Sequence, residues 1–412
     1  MNKYFWLILT GLFVFFMTIS CGTTPEPEPP PPVEVQPPPP PPPQVSEADL
    51  AALDAAAARA ESARQAAIDF NGPDFFPQEW TTADALHTQA RQQRRTGTTE
   101  EVRQSAARFN AAADALEAMA ARSRAEYFAN VERNLAAARE AAVNAGALER
   151  KPEMFQQADE TAASVSEKVQ INDFGAARSA AAGALAMYGA LEAIAEAERI
   201  WEGIEESVDE LAPEFGLRLY VAFEDFFDSW GVEDFAQANA SANQALAMAA
   251  ALRFGLAAHE TWQEVAETAR EFAEEALSQA HAVFRDAFNE WEAEDFQSAR
   301  DNAELAYIMY LRAGASAERQ RALSFRANAA AREEFNSTQA IYNRANTALN
   351  AQRLEEAGML YSETRPLFRG AADLAQERQR IAQEALRRAN EQIAEAEETV
   401  REAAVALEGD DV

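Results

Sequence analysis

From Ser46 onward, small or apolar residues recur three and four positions apart between charged ones, and the pattern restarts five times. The restarts fall at Val102, Phe174, Phe235, Phe296 and Leu354. From each, small or apolar residues follow at +3, +7, +10 and +14. Examples are Ala177, Ala181, Ala184 and Tyr188, and later Ala357, Tyr361, Thr364 and Phe368. Such positions share one face of a helix. Successive restarts lie 72, 61, 61 and 58 residues apart. The bulkiest residues keep the same beat: Trp201, Trp230, Asp234 and Phe235 return as Trp262, Trp291, Asp295 and Phe296, each 61 positions on. A fixed offset carried by large residues marks a repeat architecture.

Helix ends can be placed from the same text. Asp173, Asp234 and Asp295 stand just before three restarts, where a carboxylate accepts from a free backbone N–H and suits the positive helix end. Capping explains these acids better than acid/base chemistry does. Pro77, Pro152 and Pro213 open a preceding helix, since proline has no N–H to waste at the first helical position. Arg332-Glu-Glu-Phe335 opens the fifth without proline. The fourth keeps only Glu274 and Leu277, so its helix is expected to run straight on from the one before. Each unit is therefore two helices and a tight turn, plus a longer connecting helix. The third connector is expected from Phe235 toward Thr268, with a bend near Gly255. The fold class is all-α, an elongated stack of helical hairpins joined by long connecting helices.

The start, +3, +7, +10 spacing resembles the second helix of a tetratricopeptide repeat, as in Phe174/Ala177/Ala181/Ala184 and Leu354/Ala357/Tyr361/Thr364. The period departs from the roughly 34 residues of that family. The body is also similar to alanine-rich helical-hairpin domains of Gram-negative and spirochaete-type lipoproteins. That resemblance implies an exported, membrane-attached, all-helical solenoid of tetratricopeptide-like or spectrin-like kind.

The first residues give an address. Lys3 precedes an apolar run, Phe5 to Phe16, that ends at Thr18-Ile19-Ser20-Cys21. A basic start, a short apolar stretch and small residues before a cut describe a secretory signal, and the run is short for a membrane span. Cys21 is the only cysteine of the chain. Its place resembles the lipoprotein signal, with Thr18 where leucine is usual. The resemblance implies cleavage before Cys21 and acyl chains, such as palmitate, on that residue. It also implies outer rather than inner membrane, from Gly22. An ordinary cleaved signal with an incidental cysteine is the alternative. Pro25–Pro43 then holds 13 of the 18 prolines, a polyproline II spacer. At about 3.1 Å per residue it would reach roughly 60 Å.

Charge narrows the partners. Against 36 basic residues stand 68 acidic ones, for a net charge of −32, which repels nucleic acid and anionic headgroups. At the far end Leu386, Ile393, Val400 and Leu407 lie seven apart, as do Ala382, Ala389, Ala396 and Ala403. Residues 382–407 thus carry a coiled-coil seam, read either as a closing helix or as a handle for self-association. The order is a signal (1–20), a tether (21–45), a helical body (46–375) and a C-terminal helix with a frayed tail (376–412).

No constellation argues for catalysis. His87, His259 and His281 have no ligand spacing, no phosphate loop is present, and no metal or cofactor is expected. His259 and Trp262 share a helical face and either line a pocket or pack half-buried. Two functions stay open. One is a membrane-anchored scaffold for a protein or cell-wall partner. The other is a small-ligand or peptide-binding module associated with transport. A pocket lined by residues that break the 61-residue symmetry would favour the second.

Overall fold

The computed structural model describes residues 45–409, with side chains through Glu402. The signal, Cys21, most of the proline-rich tether and the last three residues lie outside the described residues. Among the described residues there are fourteen α-helices and no strand. Two compact units divide at Arg124 and Ala125.

The first unit holds α1 (Glu47–Asp69), α2 (Gly72–Phe75), α3 (Pro77–Gln92) and the start of α4 (Thr99–Asn144). Leu53, Ala56 and Ala60 of α1 meet Ala90 of α3 and Val102, Phe109 and Ala113 of α4. Val102 is not a helix start, because Thr98 takes the cap: its Oγ1 accepts from the Glu101 N–H at 3.2 Å, while Glu101 accepts from the Thr98 N–H at 3.0 Å. That reciprocal pair is a capping box, and it begins the helix three residues earlier.

The second unit continues with α5 (Ala147–Arg150), α6 (Pro152–Gln170), α7 (Phe174–Leu211), α8 (Pro213–Gly231), α9 (Phe235–Phe272) and α10 (Glu274–Glu292). It is completed by α11 (Phe296–Ser324), α12 (Ala327–Ala330), α13 (Arg332–Asn350) and α14 (Leu354–Gly409). Four expected restarts, Phe174, Phe235, Phe296 and Leu354, are the first residues of α7, α9, α11 and α14. The second helix of each hairpin and its connector turn out to be one long helix. A 38-residue helix, the single residue Ala273, the 19-residue α10 and the turn Ala293-Glu294-Asp295 fill one 61-residue repeat.

Two recurring joints make the repeat. At the tight turns the second residue adopts a left-handed backbone: Asn172 (φ 60°), Glu233 (60°), Glu294 (62°) and Gln352 (56°). The N–H of the following residue bonds back to the carbonyl five earlier, for example Asp234 to Ser229 and Asp295 to Glu290, both at 3.0 Å. This is a Schellman C-cap feeding directly into an N-cap. Asp173, Asp234 and Asp295 accept from the N–H groups of Ala176, Gln237 and Ser298 at 3.0–3.1 Å.

At the other joint one residue leaves helical angles: Phe76, Lys151, Ala212, Ala273 or Ala331. The N–H of each still bonds the carbonyl four residues before, at 2.7–2.9 Å. At Ala273 both groups of the linking residue are paired, the N–H with Ala269 and the C=O with Leu277, so the break needs no proline. That is why α9 and α10 are separate at Ala273, against the expectation of one continuous helix. Gly255 causes no break, and α9 runs through it to Phe272.

Long helices pack side by side in the order α7, α9, α11, α14, and each short helix packs on the long helix that follows it. Six consecutive residues of α9, from Ala247 to Leu252, are buried, because α9 has a neighbour on both flanks. Alanine lets such axes approach to about 8 Å. A Cβ on Gly314 would sit 2.6 Å from Val265 Cγ1, and one on Gly358 2.6 Å from Ile308 Cδ1. Glycine is what allows these two crossings. α14 runs unbroken past position 376, and every residue from Ala385 to Glu402 is exposed.

Candidate functional site: an apolar cavity in the third hairpin

The aromatic anchors recur in matched settings. Trp230 meets Phe235 edge-on at 5.2 Å, and Trp291 meets Phe296 at 5.1 Å. Trp201 faces Tyr220 at 5.3 Å, and Trp262 faces His281 at 6.1 Å. Tyr220 and His281 are themselves one repeat apart.

Against this regularity one place differs. A cavity of about 310 Å³ lies among α7, α8, α9, α10 and α11. Its wall includes Val208, Phe215, Leu252, Gly255, Ala287 and Trp291, and Leu211 and Phe288 stand exposed around it. No charged side chain lines it.

The preceding repeat shows why it is open. The residues 61 positions before Gly255 and Ala287 are Ile194 and Phe226, and both are fully buried. Two large side chains fill there what glycine and alanine leave empty here. A Cβ added to Gly255 would meet nothing within 4 Å. Charge also vanishes from the surroundings. In the preceding repeat Lys151 pairs with Glu198 at 2.6 Å and lies 4.9 Å above the Phe227 ring, while Arg150 grips Glu202 through two bonds of 2.6 and 2.8 Å. Their counterparts are Ala212, His259, Phe288, Leu211 and Gln263. The following repeat fills the space with polar groups: Ser316 bonds Tyr342 at 2.7 Å, and Tyr361 donates to Asn346 at 2.8 Å.

Trp291 carries a second asymmetry. The indole N–H of Trp230 donates to Gln157 Oε1 at 2.9 Å. One repeat later Gln157 is replaced by Arg218, which has only donors and pairs with Glu292 at 3.4 Å. The buried Trp291 Nε1 has no hydrogen-bond partner, and neither has that of Trp262.

His259 lines the cavity, 5.4 Å from the Trp262 ring, with its Nε2 2.9 Å from Gln263 Nε2. Trp262 packs instead with the core around Val265 and Tyr310. His281 also lies apart from the cavity, bonded to Tyr310. Burial pushes the Tyr310 phenol up to about 12, and burial and then Arg270 hold His281 below its ordinary 6.5. A wider cleft of about 880 Å³ crosses α7, α9, α11 and α14, with the mixed charges Glu196, Arg253, Arg300 and Glu304.

Among the described residues no three His, Cys, Asp or Glu side chains gather as a metal site, and no helix is long and apolar enough to cross a membrane. No protein-family model, curated protein or solved structure matches the chain. The cavity was readable in principle from the 61-residue offset, since large residues become small at only two of its core positions.

Proposed function

We propose that the chain is an exported scaffold, held to the outer membrane through lipid on Cys21, that binds a protein or cell-envelope partner and performs no chemistry. The observation that supports a partner is the outer face of α8. Leu217 is 67% exposed and Val221 54% exposed, one helical turn apart. The same positions are Gln156 and Glu160 in α6, Ser278 and Ala282 in α10, and Asn336 and Ala340 in α13. Only α8 offers large apolar side chains to solvent there, which is how a contact surface differs from an ordinary one. The net charge of −32 favours a partner that is neither nucleic acid nor an anionic surface.

A photo-crosslinker placed at Leu217 in the native envelope should capture one defined partner, and the same group at Gln156 should not. Equal capture at both positions would remove the α8 face from consideration. Cys21→Ser should release the chain from the membrane fraction, and retention with the signal removed would refute the anchor. The exposed seam Leu386, Ile393 and Val400 supports self-association, which sedimentation velocity of the full chain and of Ile393→Glu would test.

The second reading, a ligand-binding module, is favoured by the cavity between α8 and α10.

A further inference from the structure

We infer that the cavity beside Gly255 and Ala287 binds a neutral, hydrocarbon-rich small molecule about the size of an alkyl-substituted aromatic ring. This rests on the ligand-module reading and is independent of the tether and of any protein partner.

The repeats themselves define the ligand. What is missing from the cavity, relative to the hairpin before it, is the branched alkyl chain of Ile194 and the ring of Phe226. A guest that restores an alkyl group and a ring restores the packing the sibling hairpin has. At about 310 Å³ the space is at the small end of ligand pockets, which start near roughly 300 Å³. Apart from His259 its wall is apolar, and a space lined in this way favours hydrocarbon over water.

Selectivity for a neutral guest follows from the lost ion pairs. Where the preceding repeat has Arg150, Lys151 and Glu198, this one has Leu211, Ala212 and His259. A charged ligand would shed its hydration without finding a fixed counter-charge. The adjoining space one repeat later is closed by the Ser316–Tyr342 and Tyr361–Asn346 hydrogen bonds. One guest per chain is therefore expected.

The test is calorimetric titration of the full chain with n-butylbenzene, and separately with 4-butylbenzoate, its anionic analogue. Butylbenzene should bind one to one. The double variant Gly255→Ile with Ala287→Phe copies the sibling repeat and should weaken that binding at least about ten-fold while keeping the helical circular dichroism. Undiminished binding by the filled variant would overturn the site. If only the benzoate binds, and filling abolishes it, the ligand class is wrong while the module reading stands. If neither binds the native chain, both fall. Should the double variant not fold, Ala287→Leu alone must weaken butylbenzene binding, and its failure to do so equally overturns the proposal.

Discussion

The Tyr310 hydroxyl and His281 Nδ1 lie 2.7 Å apart, joining α11 to α10. Two repeats earlier the same positions are Tyr188 and Asp159, joined at 2.5 Å between α7 and α6. Two of the long helices, α7 and α11, thus bury a phenol and tie its hydroxyl to whichever polar residue the short helix supplies, whereas α9 has Ala249 and α14 has Phe368 at that place. Arg139 adds two bonds to Asp159, at 2.8 and 3.0 Å.

These pairs set a pH dependence. His281 is held below 6.5 in the folded chain, first by burial and then by Arg270. The unfolded chain therefore binds more protons just below 6.5, and stability is complete above that value and declines as pH falls through it. Thermal unfolding at about pH 8 and about pH 5 should show a smaller difference for His281→Gln than for the native chain. An unchanged difference would mean that His281 is not the titrating group.

A second limb lies lower. Arg139, and after it the Tyr188 hydroxyl, hold Asp159 below its ordinary 3.8. Its contribution is present above 3.8 and lost as pH falls toward the folded value. Asp159→Asn should destabilise the chain near neutrality and flatten the acid limb, as denaturant melts across that range would record.

Two glycines should respond to alanine with opposite signs. Alanine normally favours a helix interior by about 1 kcal/mol over glycine, and Gly255→Ala, with open space around it, should gain about that much. At Gly314 the new methyl would meet Val265 Cγ1 at 2.6 Å on a buried, β-branched neighbour. Overpacking of that kind costs about 1–3 kcal/mol, so Gly314→Ala should lower stability. Chemical denaturation of the two variants measures both signs.

The tryptophans make a third contrast. Trp230→Phe removes a partnered indole N–H and leaves Gln157 without its donor, whereas Trp291→Phe removes an N–H that has no partner. The first should cost about 1 kcal/mol more than the second. Equal losses would show that the Gln157 bond contributes nothing net.

At the tight turns, Glu294→Gly should stabilise by up to about 1 kcal/mol, because glycine takes a left-handed backbone without the Cβ penalty. Asp295→Ala should cost about 1 kcal/mol through loss of the cap on Ser298. Thermal melts of the single variants decide both.

Most of the fold was readable in the residues. Phe174, Phe235, Phe296 and Leu354 open long helices because an aspartate or a left-handed turn residue precedes each one, and such signals are local. The break at Ala273 was not readable, since one alanine with both backbone groups bonded leaves no composition signal. Nor was the unbroken passage of α9 through Gly255, where flanking helices α7 and α11 hold a residue that would otherwise loosen the chain. The cavity needed two facts together, a small residue on α9 and another on α10. Their adjacency is tertiary, although each substitution stands plainly at the repeat offset.

α14 belongs to two regimes along one axis. Up to Ala375 one face of it is locked into the hairpin core, and from Ala385 to Glu402 every side chain faces water. Substitutions between Ala385 and Glu402 would remove no buried side chain. Selection can therefore redesign this outer arm, in charge or pairing preference, with no penalty to the folded body that carries it.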